Sequence, residues 1–198
     1  MKRDVFKSYD KIADWFAEQR TTLIEKPYLD LLAAHIPFPA SILDLGCGTG
    51  IPIYAYLRDK GYRLKGVDAS TAMLAIAQRN FPDGDFLEQD MRELHLEEQF
   101  DAIIAWHSFF HLNMDEQRAM FPRFKEHLKP AGVLLFTSGP EEGEAWGMYH
   151  GENLYHASLG EKEYRQRLDE QGFEVLLHRQ NDLNCGGATV WLCQYKIP

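Results

Sequence analysis

Three acidic residues follow short apolar runs at even intervals along this chain. Ile42 to Gly50 read ILDLGCGTG and carry Asp44; Leu64 to Val67 lead into Asp68, 22 positions after Gly46; Asp85 to Gln89 lead into Asp90 and Met91 after another 22. Gly46, Gly48 and Gly50 permit positive φ with nothing at Cβ, so a ligand can lie on bare backbone. Asp44 sits at the carboxyl end of a strand, where open α/β sheets bind ligands, and Asp68 stands near the offset at which an acid accepts from a ribose diol. A dinucleotide loop would have a third glycine at Ile51, and a P-loop would have Lys-Ser or Lys-Thr; both are missing. An acid inside the loop suits an ammonium group and repels a pyrophosphate. Asp68 or Asp90 alone reads equally well as a cap or turn acid, but chance explains the three together poorly.

The glycine loop with its acids at successive strand ends resembles motif I and the following strand ends of the class I S-adenosylmethionine-dependent methyltransferases, of the small type 11/25-like kind. That resemblance implies S-adenosylmethionine as cofactor. Gly46, Gly48 and Gly50 would hold its amino-acid end above Asp44, Asp68 its ribose, and Asp90 with Met91 its adenine. Cys47, Ala69, Met73 and Trp106 join them as cofactor contacts, Trp106 as a core or adenine-side wall. Tyr9-Asp10, with Ile12, Trp15 and Phe16, looks like the first helix that closes over the cofactor, and Tyr9 is its ligand-facing residue; an amphipathic cover for the sheet explains Ile12 and Phe16 as well.

For catalysis the candidates are His107, which follows the fourth strand beside Ser108, and His111 one helical turn later. His107 reads as a base or a substrate contact, and both histidines also read as packed residues among Phe109, Phe110 and Leu112. Glu144 to His156 (EAWGMYHGENLYH) is dense in aromatic and histidine residues. Trp146, Tyr149, His150, Tyr155 and His156 are candidate acceptor-pocket residues there, or belong to a surface loop packed on the first helices. His150, His156 and Glu152 are too sparse for a metal site, and none is expected.

These residues need a frame of alternating strands and helices. The pattern predicts helices over Val5–Gln19 and Pro27–His35, then strand Ile42–Leu45, helix Ile51–Lys60, strand Leu64–Val67, helix Thr71–Asn80 capped by Ser70, and strand Asp85–Gln89. Strand Phe100–Trp106, a helix Asp115–Leu128 with Asp115 at its N-cap, and strand Val133–Thr137 follow. Helix Glu161–Gln171 precedes strands Phe173–Arg179 and Ala188–Lys196, whose short connection implies an antiparallel hairpin. The fold class is α/β, a Rossmann-like three-layer sandwich. From the resemblance, its sheet is seven-stranded and mostly parallel with an antiparallel last strand, in the order 3-2-1-4-5-7-6. One domain spans 1–198, with a helical cap over 1–38 and a substrate-lid insertion over 141–160.

Composition limits the partners. A net charge of −9 argues against a nucleic-acid backbone, and the Asn/Asp-Pro-Pro-Tyr/Phe signature of nucleic-acid amino methylation is missing after the fourth strand. No run of about 18 apolar residues could span a bilayer, and three scattered cysteines suit a reducing compartment. The expectation is therefore a cytoplasmic monomer or homodimer that methylates a small-molecule acceptor, with no membrane or nucleic-acid partner. The alternatives are an NAD(P)-dependent oxidoreductase, against which Ile51 and the lack of a Tyr-x-x-x-Lys pair count, and a catalytically silent nucleoside-binding protein of the same fold.

Overall fold

The computed structural model describes residues 4–196. The chain runs through α1 (Phe6–Gln19), α2 (Lys26–Ala33), β1 (Ser41–Leu45), α3 (Ile53–Asp59), β2 (Arg63–Asp68), α4 (Thr71–Asn80), β3 (Asp85–Glu88) and β4 (Phe100–Ala105). It continues through α5 (Met114–Glu126), β5 (Leu128–Ser138), β6 (Gly143–Tyr149), β7 (Glu152–Ser158), α6 (Glu161–Glu170), β8 (Phe173–Asp182) and β9 (Ala188–Tyr195).

Successive side chains of a strand face opposite ways, and here both faces are apolar. Ile42, Ala102, Ile104 and Leu135 pack with Tyr28, Leu29, Leu32 and Leu57 of α2 and α3. Leu43, Ile103, Leu134 and Phe136 pack with Phe121, Phe124, Tyr164 and Leu168 of α5 and α6. Covering both faces is what a parallel sheet requires. The sheet order is β3-β2-β1-β4-β5-β9-β8, with β9 antiparallel to both of its neighbours. With β8 and β9 as sixth and seventh sheet strands, this is the order the resemblance implied. The result is to stack the ends of β1, β2 and β4 under one cleft.

α1 lies on α4, joined through Ala13, Met73 and Ile76 with Tyr9 and Phe16. Asp10 fixes the contact. Its Oδ1 accepts from Ser70 Oγ (2.6 Å) and from the Ala72 N–H (3.1 Å), while Ser70 Oγ accepts from the Met73 N–H. The expected Ser70 cap thus stands at an α4 N-terminus whose free N–H groups and dipole favour a carboxylate.

Three expectations need correction. α5 is capped by Asn113 and not by Asp115: Asn113 Oδ1 accepts the Glu116 N–H and Glu116 Oε2 accepts the Asn113 N–H, both at 2.9 Å. That reciprocal box satisfies two groups at once, which Asp115 could not do with Arg118 three residues on. β5 begins at Leu128, five residues early, because Phe100 pairs with Leu128 before Lys129–Gly132 bulge out and pairing resumes at Ala102 and Val133. Residues 143–158, read as a loop, form a separate antiparallel hairpin. Its two-residue turn, His150-Gly151, has φ of +44° and +84°, the positive pair that matches strand twist.

Candidate active site

Over the ends of β1, β2 and β4 lies a cleft of about 1000 Å³, its open mouth included. Tyr9, Asp44, Gly46, Cys47, Gly48, Asp68, Ala69, Met73, Asp90, Met91, Trp106, His107 and His111 all line it. Gly50 does not; with φ +76° its added Cβ would lie 2.8 Å from Phe81, so packing explains that glycine.

The loop after β1 is tied down by Gly46 and Cys47, whose N–H groups donate to Val67 O at 2.7 and 3.1 Å. Gly46 has φ +79°, and a Cβ there would meet Ser108 Cβ at 2.2 Å. Gly48 has φ +54°, and a Cβ would find only Phe16 at 4.0 Å, so its open side faces the cleft. Asp68 organises the far wall: Oδ2 accepts the Gly48 N–H and Oδ1 the Ser70 N–H, each at 2.8 Å. Burial raises its pKa, opposed by those backbone donors. Carboxylate oxygens have further lone pairs for a diol.

Asp44 is buried and its carboxyl makes no hydrogen bond among the described residues. Burial, then the charges of Asp68 and Glu25, push its pKa to about 7. Trp106 Nε1–H and Gln89 Oε1, also on the cleft wall, are buried without a partner. A ligand bearing an ammonium, an anionic acceptor and sugar or base donors would satisfy this set. At the other end Arg92 grips Asp90: its Nε donates to both carboxylate oxygens at 2.9 Å and its backbone N–H to Oδ1 at 2.9 Å. Arg92 also reaches Asp4 (2.8 Å) and Glu116 (3.2 Å), so the start of α1 is pinned beside Asp90.

A second chamber, about 1350 Å³ with its mouth, lies between α1, the β6–β7 hairpin and the β8–β9 turn. Tyr9, Phe16, Arg20 and His107 line both spaces. His107 holds φ +51°, unusual for a residue with a Cβ, and its backbone N–H donates to Thr137 Oγ1 at 2.9 Å. Its ring packs against Trp106 and Phe110. No described residue hydrogen-bonds either ring nitrogen. Burial, then the Arg20 charge, lower its pKa to about 4. The His111 ring is committed: because Tyr155 O can only accept, Nδ1 donates to it (2.8 Å), leaving Nε2 to accept from Tyr9 Oη–H (2.9 Å). Burial takes its pKa to about 3. His111 therefore orients Tyr9 and has no lone pair free to act as a base, which corrects its reading as a catalytic candidate.

Of the five acceptor-pocket candidates, Tyr149 and His156 line the second chamber. Trp146 is 55% exposed and rests edge-on against Tyr155, which is itself buried and gives its carbonyl to His111. His150 stacks on Trp15 of α1 at 5.1 Å. Strand alternation makes this split, since Trp146 pairs with Tyr155 and Tyr149 with Glu152 across the hairpin. Arg20, Gln89 and Arg92 were not anticipated. Arg20 forms an ion pair with Glu25, which is completely buried, and only its place straight after a helix touching the cleft could have marked it.

Comparison with known proteins agrees with this geometry. Residues 42–132 match the methyltransferase domain family. The chain is 34% identical over 186 residues to trans-aconitate 2-methyltransferase of Escherichia coli, covering 85% of this chain and 71% of that protein. It is 37% identical over 107 residues to dTDP-3-amino-3,6-dideoxy-alpha-D-glucopyranose N,N-dimethyltransferase of Streptomyces fradiae, covering 53% of this chain and 42% of the relative. It thus spans under half of that relative's length. In fold it is like the CcbJ methyltransferase of Streptomyces caelestis, with a TM-score of 0.79 and 18% identity over 98% of this chain and all of that one. By its match over most of the Escherichia coli enzyme, the chain belongs to the class I S-adenosylmethionine-dependent methyltransferases.

Proposed function

We propose that this chain transfers a methyl group from S-adenosylmethionine to a small-molecule acceptor. The chief support is that one cleft gathers all three strand-end carboxylates and the bare Gly46–Gly48 backbone, and meets a second chamber at His107. Bound there, the cofactor would supply a methyl group on a sulfonium, a carbon already activated for in-line displacement. Catalysis then rests on alignment and exclusion of water.

Each end of the cofactor has its holder. Asp44 takes the ammonium; Arg20, backed by Glu25, and Trp106 Nε1–H take the carboxylate; Gly46 and Gly48 offer bare backbone between them. Asp68 takes the ribose diol, and Asp90 with Met91 the adenine, Arg92 fixing the carboxylate of Asp90. Cys47, Ala69 and Met73 complete the walls. Tyr9, held by His111, and Phe16 close the cleft from α1. His107 stands at the junction as a neutral proton acceptor, and residues 141–160 serve as the lid of the acceptor chamber, with Tyr149 facing it.

A net charge of −9 favours a small acceptor over nucleic acid. Among the described residues no helix is long and apolar enough to cross a membrane. The test is calorimetric titration with S-adenosylmethionine, S-adenosylhomocysteine, NAD and NADP. Binding of the two adenosyl-sulfur ligands alone, weakened about tenfold or more in Asp68→Ala, is expected; binding of the dinucleotides instead would overturn the proposal.

A further inference from the structure

We propose that Gln89, and not Asp90, is the acceptor that reads the 6-amino group of the cofactor's adenine, its side-chain carbonyl held in that polarity by the backbone carbonyl of Glu93. This rests on the methyl-transfer reading and refines its adenine end.

Backbone pairing places the residue. One position past the end of β3, the Gln89 N–H donates to Asp68 O at 3.0 Å, so Gln89 stands on the cleft wall beside the ribose-side acid. Its amide has one fixed polarity. Glu93 O can only accept, so the group facing it at 3.3 Å is the Nε2 amino group and Oε1 is turned the other way. That oxygen is buried and has no partner among the described residues. Buried acceptors are almost always met, so an unmet one on the wall of a ligand cleft marks where a ligand donor arrives.

Asp90 has no such vacancy. Its Oδ1 accepts from the Arg92 backbone N–H and from Nε, each at 2.9 Å, and its Oδ2 accepts from Nε at 2.9 Å and from Nη2 at 2.5 Å. A carboxylate offers about four lone-pair sites, and these contacts use them. To receive a ligand, Asp90 would have to loosen Arg92, whose side chain is 8% exposed and also joins Asp4 and Glu116. Charge-assisted bidentate pairs of this kind are strong. Asp90 therefore serves the adenine site by fixing the short turn Met91–Glu93, which brings Met91 to the cleft.

An amide oxygen accepts and never donates. It suits the 6-amino group of adenine and opposes the 6-oxo group of hypoxanthine, lone pair against lone pair. Turning the amide over to donate to a 6-oxo base would set Oε1 against Glu93 O, so the site cannot adapt to the wrong base. Sites built around a hydrogen bond reject an analogue lacking the matching group because their own buried polar atom is left unpaired.

The test is calorimetric titration with S-adenosylhomocysteine and with S-inosylhomocysteine, its 6-oxo analogue, in the parent protein and in Gln89→Met, Gln89→Ala and Asp90→Asn. Gln89→Met keeps the length of the side chain and removes the amide; Gln89→Ala removes both. We expect the parent to prefer the adenosyl ligand by about tenfold or more, and both Gln89 variants to lose most of that preference. Asp90→Asn should weaken the two ligands by a similar factor, through the loosened Arg92 turn, and keep their ratio. A merely structural Gln89 would also weaken both ligands alike, so an unchanged ratio in its variants overturns the inference. A parent without the preference, or its loss in Asp90→Asn, overturns it as well. Failure of S-adenosylhomocysteine to bind the parent would bring down the methyl-transfer reading with it.

Discussion

Replacing Gly46 and Gly48 by alanine, one at a time, separates what the loop does for the fold from what it does for the ligand. Both sit at positive φ, +79° and +54°, where a Cβ costs roughly 1–2 kcal/mol. At Gly48 that is nearly the whole cost, because the nearest atom to the new Cβ is 4.0 Å away. At Gly46 the new Cβ falls 2.2 Å from Ser108 Cβ. No rotamer change moves that atom, and Ser108 is anchored by its Oγ donating to Leu45 O at 2.7 Å. Overpacking of this kind adds about 1–3 kcal/mol, for a total of roughly 2–5 kcal/mol against a domain stability of about 5–15 kcal/mol. In a chain of this size each kcal/mol lowers Tm by about 2–4 °C. Calorimetry should therefore show a fall of about 2–8 °C for Gly48→Ala and clearly more for Gly46→Ala. Titration with S-adenosylhomocysteine should show Gly48→Ala folded but binding at least about tenfold more weakly, since its methyl group enters the cradle. Adding Ser108→Gly to Gly46→Ala should recover most of the steric part. If Gly48→Ala binds the ligand like the parent, the cradle assignment is wrong; if the two single variants are equally stable, the steric reasoning is wrong.

Two further predictions concern pH. Asp44 has a folded pKa of about 7 against an ordinary 3.8, so between those values the folded state holds the extra proton and stability falls as pH rises, levelling off above 7. Asp44→Asn should therefore stabilise the ligand-free protein at pH 8, by up to about 4 kcal/mol for roughly three pKa units, and change it little at pH 4, while binding S-adenosylhomocysteine more weakly; denaturant melts at both pH values and a titration check this. His107 and His111 are shifted the other way, to about 4 and about 3, so their contribution is complete above 6.5 and is lost as pH falls through 6.5 toward those values. His111→Gln should flatten that acid limb in a Tm-against-pH series, and an unchanged limb would show that His111 is not buried neutral.

What could be read from the sequence was what the local backbone decides. The glycines after β1 and the acids at the ends of β1, β2 and β3 declare themselves because a strand end and its turn lie within a few residues of each other, and the strand alternation supplies the spacing. Where two local signals compete, the reading can miss by two residues: Asn113 and Asp115 are both good caps, and only Glu116 in the N3 position of the first decides between them. The hairpin over 143–158 was hidden because His-Gly is a weaker turn signal than Asn-Gly, and because its strand β6 is exposed along most of its length and shows no apolar alternation. Long-range pairing was out of reach altogether. Arg92 acts through Asp4, 88 positions away, and His111 through Tyr9, 102 positions away. His111 makes the difference plain. Its type and its place after β4 suggested a base, yet a carbonyl from β7 claims one nitrogen and a hydroxyl from α1 the other. His107, four residues earlier and otherwise similar, keeps both nitrogens because its strained backbone carries the ring between Trp106 and Phe110 and away from any such partner. Which of two neighbouring histidines keeps its ring nitrogens free is therefore decided by elements that fold against them from both ends of the chain.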